Sequence, residues 1–160
     1  MNEKEIDIVY EFTCEDVFEC VKRESSLLAE RRNDTEGLFE KLVFDEEYKN
    51  YGVFEEYFFD ARAEIIPVVS AYVNPKEDVP GQKDFFVRLL MPCDFMEAMK
   101  EVIGIKIKQF LIAYIMYRWL ETKLSQEAAV YYQRATNLLP QIKGYLEKRD
   151  RPYKRPVRWF

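Results

Sequence analysis

Apolar side chains recur at helical spacing over residues 94–123, DFMEAMKEVIGIKIKQFLIAYIMYRWLETK, the longest periodic stretch of the chain. Met96, Met99, Ile103, Ile107, Phe110, Leu111, Tyr114 and Tyr117 make one stripe, while Ile112, Met116, Trp119 and Leu120 occupy the face opposite. A helix that is apolar on both faces has to be enclosed by other elements. The pattern therefore predicts a central helix over 94–123, with Asp94, just after Pro92, at the N-cap position. Residues 5–12 instead alternate, Ile6, Ile8, Tyr10 and Phe12 against Glu5, Asp7 and Glu11, the period of a half-buried strand. Residues 85–91 alternate too, and the two segments are expected to pair as a small two-stranded patch beside the helices, which a lone hairpin needs for stability.

Between these landmarks the pattern predicts three more helices. Thr13 with Asp16 three residues on resembles a capping box, opening a first helix whose stripe is Val17, Val21, Leu27 and Leu28 and whose end lies near Asn33. Residues 33–52 are punctuated by Asn33, Asp34, Gly37 and Gly52 and are left unassigned. From Val53 to about Val73, Phe54, Tyr57, Phe58, Ala61, Ile65, Val68, Val69 and Tyr72 share a face, with Pro67 inside the run demanding a kink or a restart. NPKEDVPGQK, residues 74–83, reads as a loop. Ser125 is expected to cap a last helix bearing Ala128, Tyr131 or Tyr132, Ala135, Leu138, Leu139, Ile142 and Leu146, its second half weakened by Pro140 and Gly144. The fold class that follows is mainly α, a compact helical bundle around the central helix with a two-stranded β patch, over a domain of residues 1–147.

Residues 148–160 break the pattern. Pro152 and Pro156 forbid helix and push Arg151 and Arg155 into extended conformations, so this stretch is expected to be an extended basic arm ending in Trp159 and Phe160. Charge follows the same division. Residues 1–60 hold 18 acidic and 7 basic side chains, net −11, whereas residues 143–160 hold 2 and 7, net +5, within a chain of net −5. An acidic head and a basic tail can meet within one molecule, between copies, or on another partner.

Composition narrows the class. At 48% hydrophobic and 16% aromatic residues, 160 residues suffice for one well-packed domain. Cys14, Cys20 and Cys93 form no CxxC pair and are expected to be small core residues in a reducing compartment. No basic-then-apolar leader opens the chain, and its longest apolar run, residues 110–117, is far short of the ~20 residues a membrane span needs, so a soluble cytoplasmic protein with no membrane contact is expected.

Candidate chemistry is sparse. The chain has no histidine, which removes Ser-His and Cys-His nucleophile pairs, HExxH zinc sites and the Glu-x-x-His ligands of di-iron bundles. Neither GxxxxGK[ST] nor GxGxxG occurs among its five glycines. Glu56, Asp60 and Glu64 fall on one helical face, but such a row is ordinarily a solvated one. No catalytic, cofactor-binding or metal-binding residue is expected, and the protein is not expected to be an enzyme. What remains is the arm, whose Arg149, Arg151, Tyr153, Lys154, Arg155, Arg158, Trp159 and Phe160 are the candidate partner-binding residues. Aromatics and arginine carry interface energy, and proline lowers the cost of ordering an extended segment. The same residues suit a nucleic-acid-binding accessory protein, through phosphate contacts and base stacking, although the acidic domain opposes a polyanion. A small-ligand-binding helical protein is a further alternative.

An acidic helical domain with tyrosine-rich helices, an early capped helix and a basic extended C-terminus, carried by YYQRATNLLPQIKGYLEKRDRPYKRPVRWF at residues 131–160, resembles the head-to-tail connector (adaptor, or head-completion) proteins of tailed bacteriophages. The resemblance is one of layout and has no diagnostic motif. It implies a virion structural protein, assembled in the host cytoplasm: a homo-oligomeric, dodecameric ring beneath the portal protein. C-terminal arms would lie on the portal, tail components would sit below, and DNA would be met only as it passes through the ring.

Overall fold

The computed structural model describes residues 4–31, 51–73 and 84–150. The described elements run β1 (Ile6–Phe12), α1 (Cys14–Arg31), α2 (Tyr51–Val69), β2 (Phe85–Met91), α3 (Met99–Leu120) and α4 (Ser125–Leu146). The fold is mainly helical, with a small two-stranded antiparallel sheet packed on the helices. The unassigned residues 33–50, the end of the first helix beyond Arg31 and the 74–83 loop lie outside the described residues.

Enclosure of α3 organises the packing. Ile103, Ile107, Phe110, Leu111, Ala113, Ile115, Met116, Trp119 and Leu120 are buried, and from Phe110 to Leu120 no side chain is fully exposed. Burial on both faces follows from the neighbours, because α3 packs against α1, α2, α4 and β1. The partner helices each contribute one stripe: Val17, Phe18, Val21 and Leu28 from α1, Phe54, Phe58, Ala61 and Ile65 from α2, and Ala128, Tyr131, Ala135, Leu138, Ile142 and Leu146 from α4. Phe18 meets Tyr51 and Phe54 edge-on at 5.0 and 4.9 Å between ring centres, tying α1 to α2.

β1 and β2 pair from Ile6 opposite Met91 to Phe12 opposite Phe85, with Ile8, Tyr10, Phe12, Phe85, Val87, Leu89 and Met91 facing inward. The register has two local consequences. Pairing of Phe12 with Phe85 brings Asp84 beside the start of α1, where its Oδ1 accepts the Cys14 N–H at 2.8 Å. Thr13 Oγ1 accepts the Asp16 N–H at 3.2 Å, so two of the orphan donors of this helix end are satisfied by different strands of sequence. The Asp16 carboxylate does not close the box; it accepts from Lys108 Nζ at 2.6 Å, and its hydrogen bond raises the lysine's pKa. At the sheet centre, Tyr10 donates its hydroxyl to the Lys100 carbonyl at 2.6 Å, and its ring lies over Gly104, where a Cβ would come within 2.9 Å of Tyr10 Cε1.

Several local expectations are corrected. The central helix begins at Met99, with Ala98 as an N-cap that makes no side-chain bond, because residues 95 and 96 are drawn into extended contacts with residues 148–150. Short turns satisfy its first donors instead, Met99 N–H to the Met96 carbonyl at 2.9 Å and Lys100 N–H to that of Glu97 at 3.0 Å. Ser125 is the first helical residue and not the cap, which is Leu124. α4 runs unbroken through Pro140 and Gly144; Pro140 and Thr136 are exposed, so the carbonyl that Pro140 leaves without a helical donor faces water. α2 likewise passes Pro67 as one helix and stops two residues later. Leu27 is 50% exposed, and its place in the α1 stripe is taken by Phe18 and Ala29. Of the cysteines only Cys14 is buried, while Cys20 is half-buried and Cys93 exposed. Tyr131, and not Tyr132, is the inward tyrosine of α4.

Two substitutions test this packing. Ile107→Ala or Leu111→Ala leaves a cavity in a site enclosed on all sides and should cost about 2 to 5 kcal/mol in urea unfolding. A loss below about 0.5 kcal/mol at both sites would contradict the enclosure of α3. Gly104→Ala adds helix propensity worth up to about 1 kcal/mol, but it drives a methyl into a ring held by its own hydroxyl, an overpacking of about 1 to 3 kcal/mol. The net result should be destabilisation, relieved in part by Tyr10→Leu.

Candidate docking arm and its anchor

The described residues show how the chain is held as far as Asp150, at the start of the expected arm. Phe95 is fully buried, positioned by a turn in which its N–H donates to the Pro92 carbonyl at 2.9 Å. Either side of it, backbone bonds lace the chain to the end of α4: Met96 N–H to the Lys148 carbonyl at 3.2 Å, and Asp150 N–H to the Asp94 carbonyl at 2.8 Å. Phe95 and Arg149 are thereby bridged in antiparallel fashion. This is a two-residue ladder between segments more than fifty positions apart, held by one buried phenylalanine.

Arg149 fastens the ladder with its side chain. Nη1 donates to the Leu146 carbonyl at 2.9 Å and the Lys148 carbonyl at 3.0 Å, so the guanidinium caps the C-terminus of α4 where the helix dipole favours a cation. Nε lies 3.4 Å from Asp94 Oδ1, and Nη2 donates to the Tyr72 hydroxyl at 3.4 Å. Tyr72 is itself fixed, its carbonyl accepting the Leu90 N–H of β2 at 2.8 Å. Of the eight candidate partner-binding residues, Arg149 is therefore turned onto its own domain. Arg151, Tyr153, Lys154, Arg155, Arg158, Trp159 and Phe160 lie outside the described residues.

Sequence reading missed Tyr72, Asp94 and Phe95 as parts of this anchor. The Pro-x-Asp pattern is a good helix-start signal, and no local feature of residues 94–96 points to residues 148–150. Only the paired ends of α3 and α4 bring them together.

The remaining candidates are quickly placed. Asp60 is engaged by Arg118 Nη1 at 2.8 Å, while Glu56 and Glu64 are exposed. Among the described residues no group of three or more His, Cys, Asp or Glu side chains converges, and no helix is long and apolar enough to cross a membrane. A groove of about 510 Å³ runs between α1, α3 and α4, lined by Glu24, Lys106, Gln109, Tyr131, Arg134 and Leu138, among others. The one acid among its lining residues is already engaged: Glu24 Oε1 accepts the Tyr131 hydroxyl at 2.8 Å and the Arg134 Nη1–H at 3.4 Å. Burial, then the Glu24 charge, pushes the Tyr131 phenol well above its ordinary range, so it stays a neutral donor. No family model, curated protein or solved structure matches the chain.

Side-chain truncation separates the parts of the anchor. The Asp94 side chain is half exposed, so Asp94→Ala should cost less than about 1 kcal/mol. Arg149→Ala removes the cap of α4, the bond to Tyr72 and the packing of its stem together, and should cost about 1 to 2 kcal/mol. Equal losses in chemical denaturation would show that the ion pair alone is what matters.

Proposed function

We propose that this protein is a structural subunit of a virion, a head-to-tail connector that forms a homo-oligomeric ring and docks on the portal protein through its C-terminal arm. The observation that carries this reading is the anchor. A folded helical domain ends in a clamp of backbone bonds and an arginine cap, and the clamp holds the exit of ten further residues, RPYKRPVRWF. Those ten residues carry four cations, no acid and a terminal aromatic pair, a composition suited to binding a surface rather than to remaining in water.

Charge division supports the oligomer. A head of net −11 and a tail of net +5 in one chain attract the unlike end of a neighbour, and head-to-tail contacts of that kind are what close a ring. Catalysis has no part in the reading: the chain offers no histidine, and Glu24, the one acid lining the groove, is engaged by Tyr131 and Arg134. The ring would surround the DNA without reading it.

The test is reconstitution with the portal ring of the same virion. Trp159→Ala with Phe160→Ala should weaken attachment by more than about tenfold, as the loss of interface anchors does, with the thermal midpoint of the domain unchanged. Attachment that survives this pair, or survives deletion of residues 151–160, would place the interface elsewhere and overturn the docking role.

A further inference from the structure

Among the described residues, the sheet has one closed edge and one open edge. Beyond β2, Tyr72 and Val73 complete the ladder, with the Leu90 N–H bonded to the Tyr72 carbonyl and Val73 bridged to Leu89. Beyond β1, none of the described residues pairs, and the alternate N–H and C=O groups of its seven residues point outward. On the face of the sheet away from the helices Val9 of β1 is 44% exposed, an apolar side chain next to which an added strand could place its own.

Charge decides which strand fits. Residues 1–16 hold six acidic side chains and one basic, net −5; Asp7 is paired with Arg88 and Asp16 with Lys108, while Glu5 and Glu11 on β1 and its approach are exposed. A second β1 pairing with this edge would bring like charges together, which disfavours a two-fold sheet extension. Residues 151–160 hold four basic side chains and no acidic one, net +4.

The prolines of the arm have a parity that completes the argument. Pro152 and Pro156 are four apart, so in an extended strand both missing donors fall on the same side. Residues 151, 153, 155, 157 and 159 then offer every N–H and C=O on the other side, as an added edge strand requires. Residues 151–157 match the seven residues of β1 in length and leave Arg158, Trp159 and Phe160 beyond it.

We propose that residues 151–157 of one copy add as a strand to the open edge of β1 in a neighbouring copy, so that the arm joins subunits before its last three residues reach the portal. The inference rests on the homo-oligomeric reading above. It names a binding site on β1 and the basic, proline-spaced peptide that the site takes, by main-chain addition to a sheet edge.

The full-length chain tests it through backbone parity. Tyr153→Pro deletes a donor that faces β1 and keeps all four cations of the arm. Lys154→Pro deletes a donor that faces away and removes one cation. Tyr153→Pro should weaken subunit association by about tenfold, the equivalent of one or two ladder hydrogen bonds, while Lys154→Pro weakens it far less. Hydrogen exchange should show the β1 amides not bonded to β2 becoming protected only at concentrations where copies associate, and staying unprotected in Tyr153→Pro. Equal effects of the two prolines, or association with those amides still exchanging freely, would overturn the strand addition while leaving the connector reading standing. Protection that does not depend on concentration would mean the arm pairs with its own β1, and the intermolecular site would fall. Copies that stay monomeric with β1 unprotected would also overturn it; portal attachment through Trp159 and Phe160 is read separately and would show whether the docking role falls with it.

Discussion

Burial of α3 on both faces is the constraint from which the rest of the domain follows. A helix with one apolar stripe can lie on the surface, but one with Ile107 and Leu111 on one side and Ile112, Met116 and Trp119 on another has no orientation in water that leaves its apolar area covered. It recruits α1, α2, α4 and the inner face of β1 as a sheath. Each of those elements needs only a single apolar stripe, so their outer faces are free to carry charge, and the strongly polar composition of the first sixty residues is compatible with a dense core.

The sheet supplies what helix packing alone leaves loose, the relative position of the chain's beginning and middle. Pairing of Ile6–Phe12 with Phe85–Met91 sets Asp84 against the start of α1 and Tyr10 against the start of α3. Gly104 belongs to the same arrangement, since only a residue without a side chain lets the Tyr10 ring lie so close to the helix. The outward ion pair of Asp7 with Arg88, Nε to Oδ1 at 2.8 Å, holds the aspartate below the usual carboxylate range, yet it is solvent-exposed and adds little stability.

The proposed docking role rests on the two ends of the described domain. The described C-terminal segment is held by a short ladder and Arg149, immediately before the run of arginine, proline and aromatic residues to which docking is assigned in the proposal. The N-terminal end is an acidic edge strand. An assembly protein of the proposed kind would need no pocket chemistry, and its specificity would come from charge sign, backbone pairing and the spacing of two prolines.

Much of this was legible without the tertiary structure, for a physical reason. Periodicity records which side of a residue faces water, so the strands at Ile6–Phe12 and Phe85–Met91, the enclosure of the 110–120 region and the single stripes of α1, α2 and α4 could all be read from residue order. Pairing of the two strands was also accessible, because two alternating segments and no third left each a single partner. Helix ends were not: Asp94 and Ser125 look like caps locally, and the backbone of residues 94–96 is instead committed to residues 148–150. Nor did the sequence say that Arg149 would turn inward to Asp94, Tyr72 and the end of α4, since a guanidinium within a basic run looks like every other cation there. Residue order alone determined the elements, their buried faces and the division of charge, because each depends on neighbours along the chain. Only the tertiary structure decided where α3 starts, how residues 148–150 are held and which sheet edge the described residues leave unpaired, because each is a competition for the same backbone hydrogen bonds between segments far apart in sequence.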